Sequence, residues 1–338
     1  MSKQNIILAL PGDEHFHYFS ECLEQVYPVD SLRFRTKEGM NEEFLNTCII
    51  VLSDELPVAR LALYRNPFLI HKDKPAFCIG NYECIDDPGI ARQLLDRAFL
   101  EAKKSGAVQL IGPMNGSTWD SYRFCTGYDQ PLFFTESFHP LYYNDHFIAA
   151  GFVPMANYFS AIDRKLTHDD PLVIKRGKEL RDLGITLRNI DLKDYGNELM
   201  RFYPFVTNAF SRNHLYTPIT EEYFIQKYLD AEKIIDPEFV LIAEDGSKNI
   251  VSLFFCINDL YNKKEKSLVV KTIARDPSPQ WKGLGHVVGN EIVKRCSENG
   301  YHSLIHAFLF DHGTSTPISK NFSGDIFRNY ALYLKEFA

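Results

Sequence analysis

The chain has 338 residues, 45% of them hydrophobic and 24% charged, with 44 acidic against 37 basic side chains and a net charge of −7. That composition excludes a mainly disordered protein, and the length suggests two domains. An acidic pI near 5.9 argues against nucleic acid as a partner, because such binders carry a basic excess, but it leaves room for a local basic patch that holds a small anion.

In chain order, the first apolar run, 6–10, is too short for a signal-peptide core, and Gly12-Asp13-Glu14 follows it in place of a cleavage site. Asp13, Glu14, His15 and His17 crowd together, but they read as the polar start of a helix rather than a metal site. Two strands are predicted over 47–52 and 58–64, around Asp54-Glu55. A strand over 76–85 then meets the turn signal Asp86-Asp87-Pro88-Gly89. A helix follows over 90–104, apolar at 90, 94, 95, 98, 99 and 102. Gly106 ends it as a C′ glycine, and 108–111 reads as the next strand.

A polar stretch over 163–178 marks the predicted boundary, which gives domains 1–165 and 166–338. Beyond it, strands over 238–244 and 250–258 are joined by the hairpin signal Asp245-Gly246. A strand over 267–274, a loop at Asp276-Pro277-Ser278-Pro279, a helix over 283–297, Gly300 and a strand over 303–307 complete the pattern. Gly89 and Gly106 are 17 residues apart, as are Gly283 and Gly300, at an offset of 194. Strand, loop, helix, glycine and strand thus occur twice, each time after a hairpin. This is an α+β arrangement and not a Rossmann fold.

No apolar run approaches the roughly 20 residues of a membrane span, so no membrane partner is expected. The seven cysteines include no CxxC pair and read as buried thiols rather than disulfides or a zinc site. His302 and His306 are too far apart along a strand to share a metal. A cytoplasmic protein without a metal is expected; oligomeric state is not legible.

The sharpest local motif is Gln280-Trp281-Lys282-Gly283-Leu284-Gly285, of the form Q-x-x-G-x-G, between a strand and a helix. Its glycines let the backbone approach a ligand, the first-turn N–H groups and helix dipole face an anion, and Lys282 adds charge. This motif resembles the signature loop of the GNAT superfamily of acyl-CoA N-acyltransferases. The ending Phe147-Ile148-Ala149-Ala150-Gly151-Phe152, together with Gly112-Pro113-Met114-Asn115-Gly116-Ser117, is similar to segments of bacterial tandem GNAT-like proteins.

The resemblance implies two tandem GNAT-like domains, each a mixed, mainly antiparallel sheet flanked by helices. It implies an N-acyltransferase that moves an acetyl or other acyl group from acyl-CoA to a primary amine on a small molecule or peptide. Ile273, Ala274 and Arg275 would serve the pantetheine arm, and Gln280, Lys282, Gly283, Leu284, Gly285 and His286 the phosphates. The other copy, Asp86-Asp87-Pro88-Gly89-Ile90-Ala91, sets two carboxylates and a proline at the equivalent place and is expected not to hold coenzyme A. The family's catalytic Glu has no counterpart on 267–274, where Lys271 is the charged residue, and its Tyr position holds Lys320. Tyr330, Tyr333 and His214 are the catalytic candidates, and Asn115, Tyr143, Arg212 and Asn213 the candidates for substrate contact. Two other readings stay open: a ligand-binding module that has lost turnover, and a Fem-like aminoacyl transferase.

Overall fold

The computed structural model describes residues 3–35, 39–311, 313 and 324–337. The first half opens with β1 (Gln4–Ala9) and α1 (His17–Val26), followed by the antiparallel pair β2 (Leu45–Ser53) and β3 (Leu56–Tyr64). Two-residue strands β4 (Ile70–His71) and β5 (Lys74–Pro75) form a small hairpin before β6 (Phe77–Cys84), α2 (Pro88–Lys104) and β7 (Gln109–Gly112). A long loop carrying β8 (Phe124–Cys125) then leads to α3 (Tyr142–Ala149) and β9 (Val153–Asp163).

The second half runs α4 (Pro171–Asp182), β10 (Thr186–Asn189), α5 (Tyr195–Phe210), α6 (Glu221–Leu229), β11 (Val240–Glu244) and β12 (Ile250–Asn258). It closes with β13 (Ser267–Arg275), α7 (Leu284–Glu298), β14 (Ser303–Phe310) and β15 (Asp325–Glu336). The repeated strand–helix–strand units are present in both halves. Gly106 and Gly300 follow α2 and α7 with φ of 86° and 70°, the left-handed conformation that glycine adopts at low cost. The polar stretch 163–178 holds the start of α4, with Asp170 capping Leu172 N–H and Pro171 in the first turn.

All strands but β4 and β5 belong to one sheet, in the order β1-β2-β3-β6-β7-β15-β9-β14-β13-β12-β11-β10, with β8 beside β15. The halves exchange strands at the centre. β9 pairs with β14 of the second half, and β15 with β7 of the first. β9 and β15 also pair with each other along most of their length, which joins the halves through backbone hydrogen bonds. Helices cover both faces, so central strands such as β6 and β11 are buried throughout and read as apolar runs rather than alternating ones. Among the described residues four larger apolar clusters result, around α2 and α3, around α1, around α4 with α7, and around α5 with α6, with a small fifth of Phe159, Ala161 and Leu309.

Two parallel pairs place the candidate site. β13 and β14 stay in register from Ser267↔Ser303 to Val270↔His306, and β6 and β7 only at Phe77↔Leu110 and Cys78↔Ile111. Beyond those pairs the strands separate, leaving a wedge in each half.

Candidate active site between the separating strands

The second-half wedge opens into a cavity of about 340 Å³, walled by Lys271, Thr272 and Ile273 of β13 and by His306, Ala307 and Phe308 of β14. Its far wall comes from the loop after β7 and from the segment after α5, including Trp119, Arg123, Arg212, Asn213 and His214. A second cavity of about 260 Å³ shares Trp119, Asp120, Tyr122, Arg123, Lys271 and Phe308, and reaches Glu136 and Tyr330. The two form one cleft between the halves, within the size range of small-molecule sites.

The first-half wedge is filled. Asn115 is buried there; its Oδ1 accepts from the Asn81 N–H at 2.9 Å and its Nδ2 donates to the Gly39 carbonyl at 3.1 Å. Gly80 is glycine because a Cβ there would fall on Asn115 Oδ1 and 2.6 Å from the Met114 carbonyl. The space left is about 30 Å³, room for little more than a water molecule.

The two helix N-termini differ in the same direction. Asp87 caps α2, its Oδ1 accepting from Gly89 N–H at 2.8 Å and Ile90 N–H at 3.1 Å, so a carboxylate already sits where an anion would bind. At α7 the cap is Gly283, with φ 88° and no side chain. The first-turn amides of Leu284 and Gly285 have no intrahelical acceptor and lie at the positive end of the helix dipole. Arg176 of α4 braces this loop, donating Nε to the Lys282 carbonyl at 2.9 Å and Nη2 to the Gln280 carbonyl at 2.8 Å. His286 lies in the first turn of α7, its basicity lowered by burial and then by Arg275.

The edge of β13 that faces the wedge carries its own backbone groups. The Asp276 N–H donates to the Val251 carbonyl on β12, so by the two-residue alternation of a strand Ile273 and Arg275 turn their N–H and C=O to the open side. Ala274 turns inward, its carbonyl accepting from Ser252 Oγ.

No protein-family model matches this chain. A glucosamine N-acetyltransferase region, GCN5-related, of a fungal multi-domain β-N-acetylglucosaminidase superposes with a TM-score of 0.58 at 11% identity, covering 99% of this chain and 38% of that one. A GCN5-related N-acetyltransferase from Sphaerobacter thermophilus gives 0.53 at 14% identity over 98% and 95% of the two chains. A tandem GNAT protein from the clavulanic acid biosynthesis pathway gives 0.53 at 11% identity over 99% and 98%. The fold is that of tandem GNAT proteins. By sequence, 172 residues are 26% identical to a bacterial ceramide synthase of Caulobacter vibrioides; the match spans half of this chain and 44% of that protein.

On this GNAT frame the residues singled out in the sequence fall into distinct places. Arg212, Asn213 and His214 line the cleft. The His214 ring stacks on Phe310 at 5.1 Å, burial lowers its pKa, and its Nε2 is buried with no partner among the described residues. Tyr330 reaches the cleft from β15, donating to Glu136 Oε1 at 2.7 Å and lying 3.1 Å from Ser160 Oγ. Tyr333 points into the first-half core and donates to Asn144 at 2.7 Å. Tyr143 also sits in that core, donating to Glu83 Oε2 at 2.9 Å. Lys320 lies outside the described residues. No group of three or more metal-ligating side chains occurs among the described residues, and no helix there is long and apolar enough to cross a membrane.

Two cleft residues had no motif to mark them. Lys271 projects from the separating part of β13 into the cavity, where its side chain stays accessible; partial desolvation there, and then Arg123 and Lys227, lower its ammonium to about 8. Its one signal in sequence is being a charged residue in the middle of a strand whose other charge, Arg275, stands at the end. Arg123 sits in the loop after β7 with φ 71°, which sequence does not reveal.

Proposed function

We propose that the protein transfers an acyl group from acyl-CoA to a primary amine, with the donor held by the second half alone. The observation that carries this reading is the pairing of an open wedge and an uncapped helix N-terminus in one half, with both filled by side chains in the other. The donor's pyrophosphate would meet the Leu284 and Gly285 amides beside Lys282 and Arg275. Its arm would run along the open edge of β13 at Ile273 and Arg275, bringing the thioester to the cleft. Acyl-CoA when bound supplies an activated thioester carbonyl; the chain's part is to place it and move protons.

The amine nitrogen attacks that carbonyl, the C–S bond breaks, the amine loses a proton and the thiolate gains one. His214 is neutral near pH 7, because its pKa is lowered, and its free Nε2 suits it to accept the ammonium proton. Tyr330, kept protonated by burial and by the neighbouring Glu136 carboxylate, is a cleft phenol that can return one to sulfur. Release of free thiol from acetyl-CoA across an amine panel, with calorimetric titration of coenzyme A, tests the proposal. One site per chain and amine-dependent thiol release are expected. Binding without release for any amine returns the reading to an inactive module, and no binding removes it.

A further inference from the structure

Among the described residues the cleft holds three cations that form no ion pair, Arg212 in one of its cavities and Arg123 and Lys271 in both. Arg123 is caged by rings: its guanidinium carbon lies 4.0 Å from the Tyr122 centroid, 4.3 Å from Phe308 and 4.9 Å from Tyr158. Its Nη1 is buried with no hydrogen-bond partner among the described residues. Lys271 faces the same space, and among the described residues neither forms an ion pair.

The acids of the cleft are already engaged. Asp120 accepts from Lys227 Nζ and from Tyr223 Oη, both at 2.6 Å. Glu136 pairs with Arg328 at 2.9 Å and accepts from Tyr330. The Asp120–Lys227 and Glu136–Arg328 charges cancel within each pair, so Arg123 and Lys271 leave an uncompensated positive field in a partly desolvated space. An acceptor that entered as a bare ammonium would be repelled by both.

We infer that the acceptor carries a carboxylate beside its amine, and that Arg123 and Lys271 hold it. This rests on the transferase reading for the word acceptor only; the carboxylate site stands on the cleft itself. A carboxylate matches the planar fork of a guanidinium, supplies the missing counter-charge, and brings the amine in as a zwitterion without net repulsion. The aromatic cage fixes the guanidinium plane in advance, so little ordering is left to binding.

The test compares acceptors that differ by one carboxylate: phenylalanine against phenylethylamine, and histidine against histamine. The carboxylated member should show a kcat/KM at least about tenfold higher, and Arg123→Leu should bring the ratio close to one. If that variant does not fold, Lys271→Met serves for the same ratio. Succinyl-CoA against acetyl-CoA controls for a carboxylate on the acyl group; discrimination there, with none between acceptors, overturns the inference.

A second readout needs no turnover. Benzoate should raise the titration midpoint of Lys271, followed by NMR of labelled lysine and assigned with Lys271→Met, and benzyl alcohol should not. If benzoate moves Lys271 while no amine is acylated, the carboxylate site holds and the transferase reading falls. If amines are acylated with ratios near one and benzoate moves nothing, the transferase reading holds and this inference falls.

Discussion

Replacing Gly283 with alanine tests the assignment of the donor site at one atom. Gly283 caps α7 with φ 88° and ψ −10°, a conformation that costs an L-residue about 1–2 kcal/mol. The new Cβ would stand 3.1 Å from Arg176 Cγ, closer than ordinary contact, so the Arg176 side chain must shift. That shift loosens its hydrogen bonds to the Gln280 and Lys282 carbonyls, worth about 1 kcal/mol at this half-exposed position. The loop as built is therefore disfavoured by about 2–3 kcal/mol. If it relaxes to escape the strain, the Leu284 and Gly285 amides turn away and coenzyme A loses roughly 30- to 150-fold in affinity. Calorimetric titration of coenzyme A, with circular dichroism to verify the fold, gives the answer. The comparison variant is Asp87→Ala, which removes the α2 cap, lowers stability by about 1 kcal/mol and should leave one unchanged coenzyme A site. Wild-type affinity in folded Gly283→Ala, or a second site appearing in any titration of the native chain, would refute the one-sided donor site.

Three further outcomes are expected. Arg328 is fully buried against Glu136, so Arg328→Met strands a buried carboxylate and should lower unfolding stability by about 3–5 kcal/mol in urea; a loss below about 1 kcal/mol would mean the pair is not buried as described. Lys271 has a folded pKa of about 8, below the value near 10.5 of a free lysine, so the unfolded chain binds more protons between those values. Stability should therefore rise with pH from about 8 toward 10.5, and Lys271→Met should remove that rise in denaturation curves run across the window. His214 has a lowered pKa, so the acid limb of kcat/KM should fall at a pH below the usual histidine range, and His214→Gln should flatten that limb; an unaltered limb would take His214 out of the proton path.

The repeat was open to reading because its physics is local. The apolar stripes of α2 and α7, the glycines that end them, the hairpin at Asp245-Gly246 and the uncapped Gly283 each depend on residues within one turn or strand. The α2 cap is just as local, and Asp87 reads from sequence as hostile to phosphate for the reason that the structure gives a shape: the carboxylate takes the amides itself. Tertiary structure alone decided which strands close each half. β9 and β15 cross to the other half's sheet, because backbone hydrogen bonding is indifferent to the sequence distance between partners. It alone decided that Asn115 fills the first wedge, at a position where Gly-Pro-x-Asn reads equally well as a turn. The isolated positive pair also lies beyond sequence reasoning. Arg123 and Lys271 come from different halves, and their charge matters only because Asp120 and Glu136 are bound to Lys227 and Arg328 by contacts spanning more than a hundred residues.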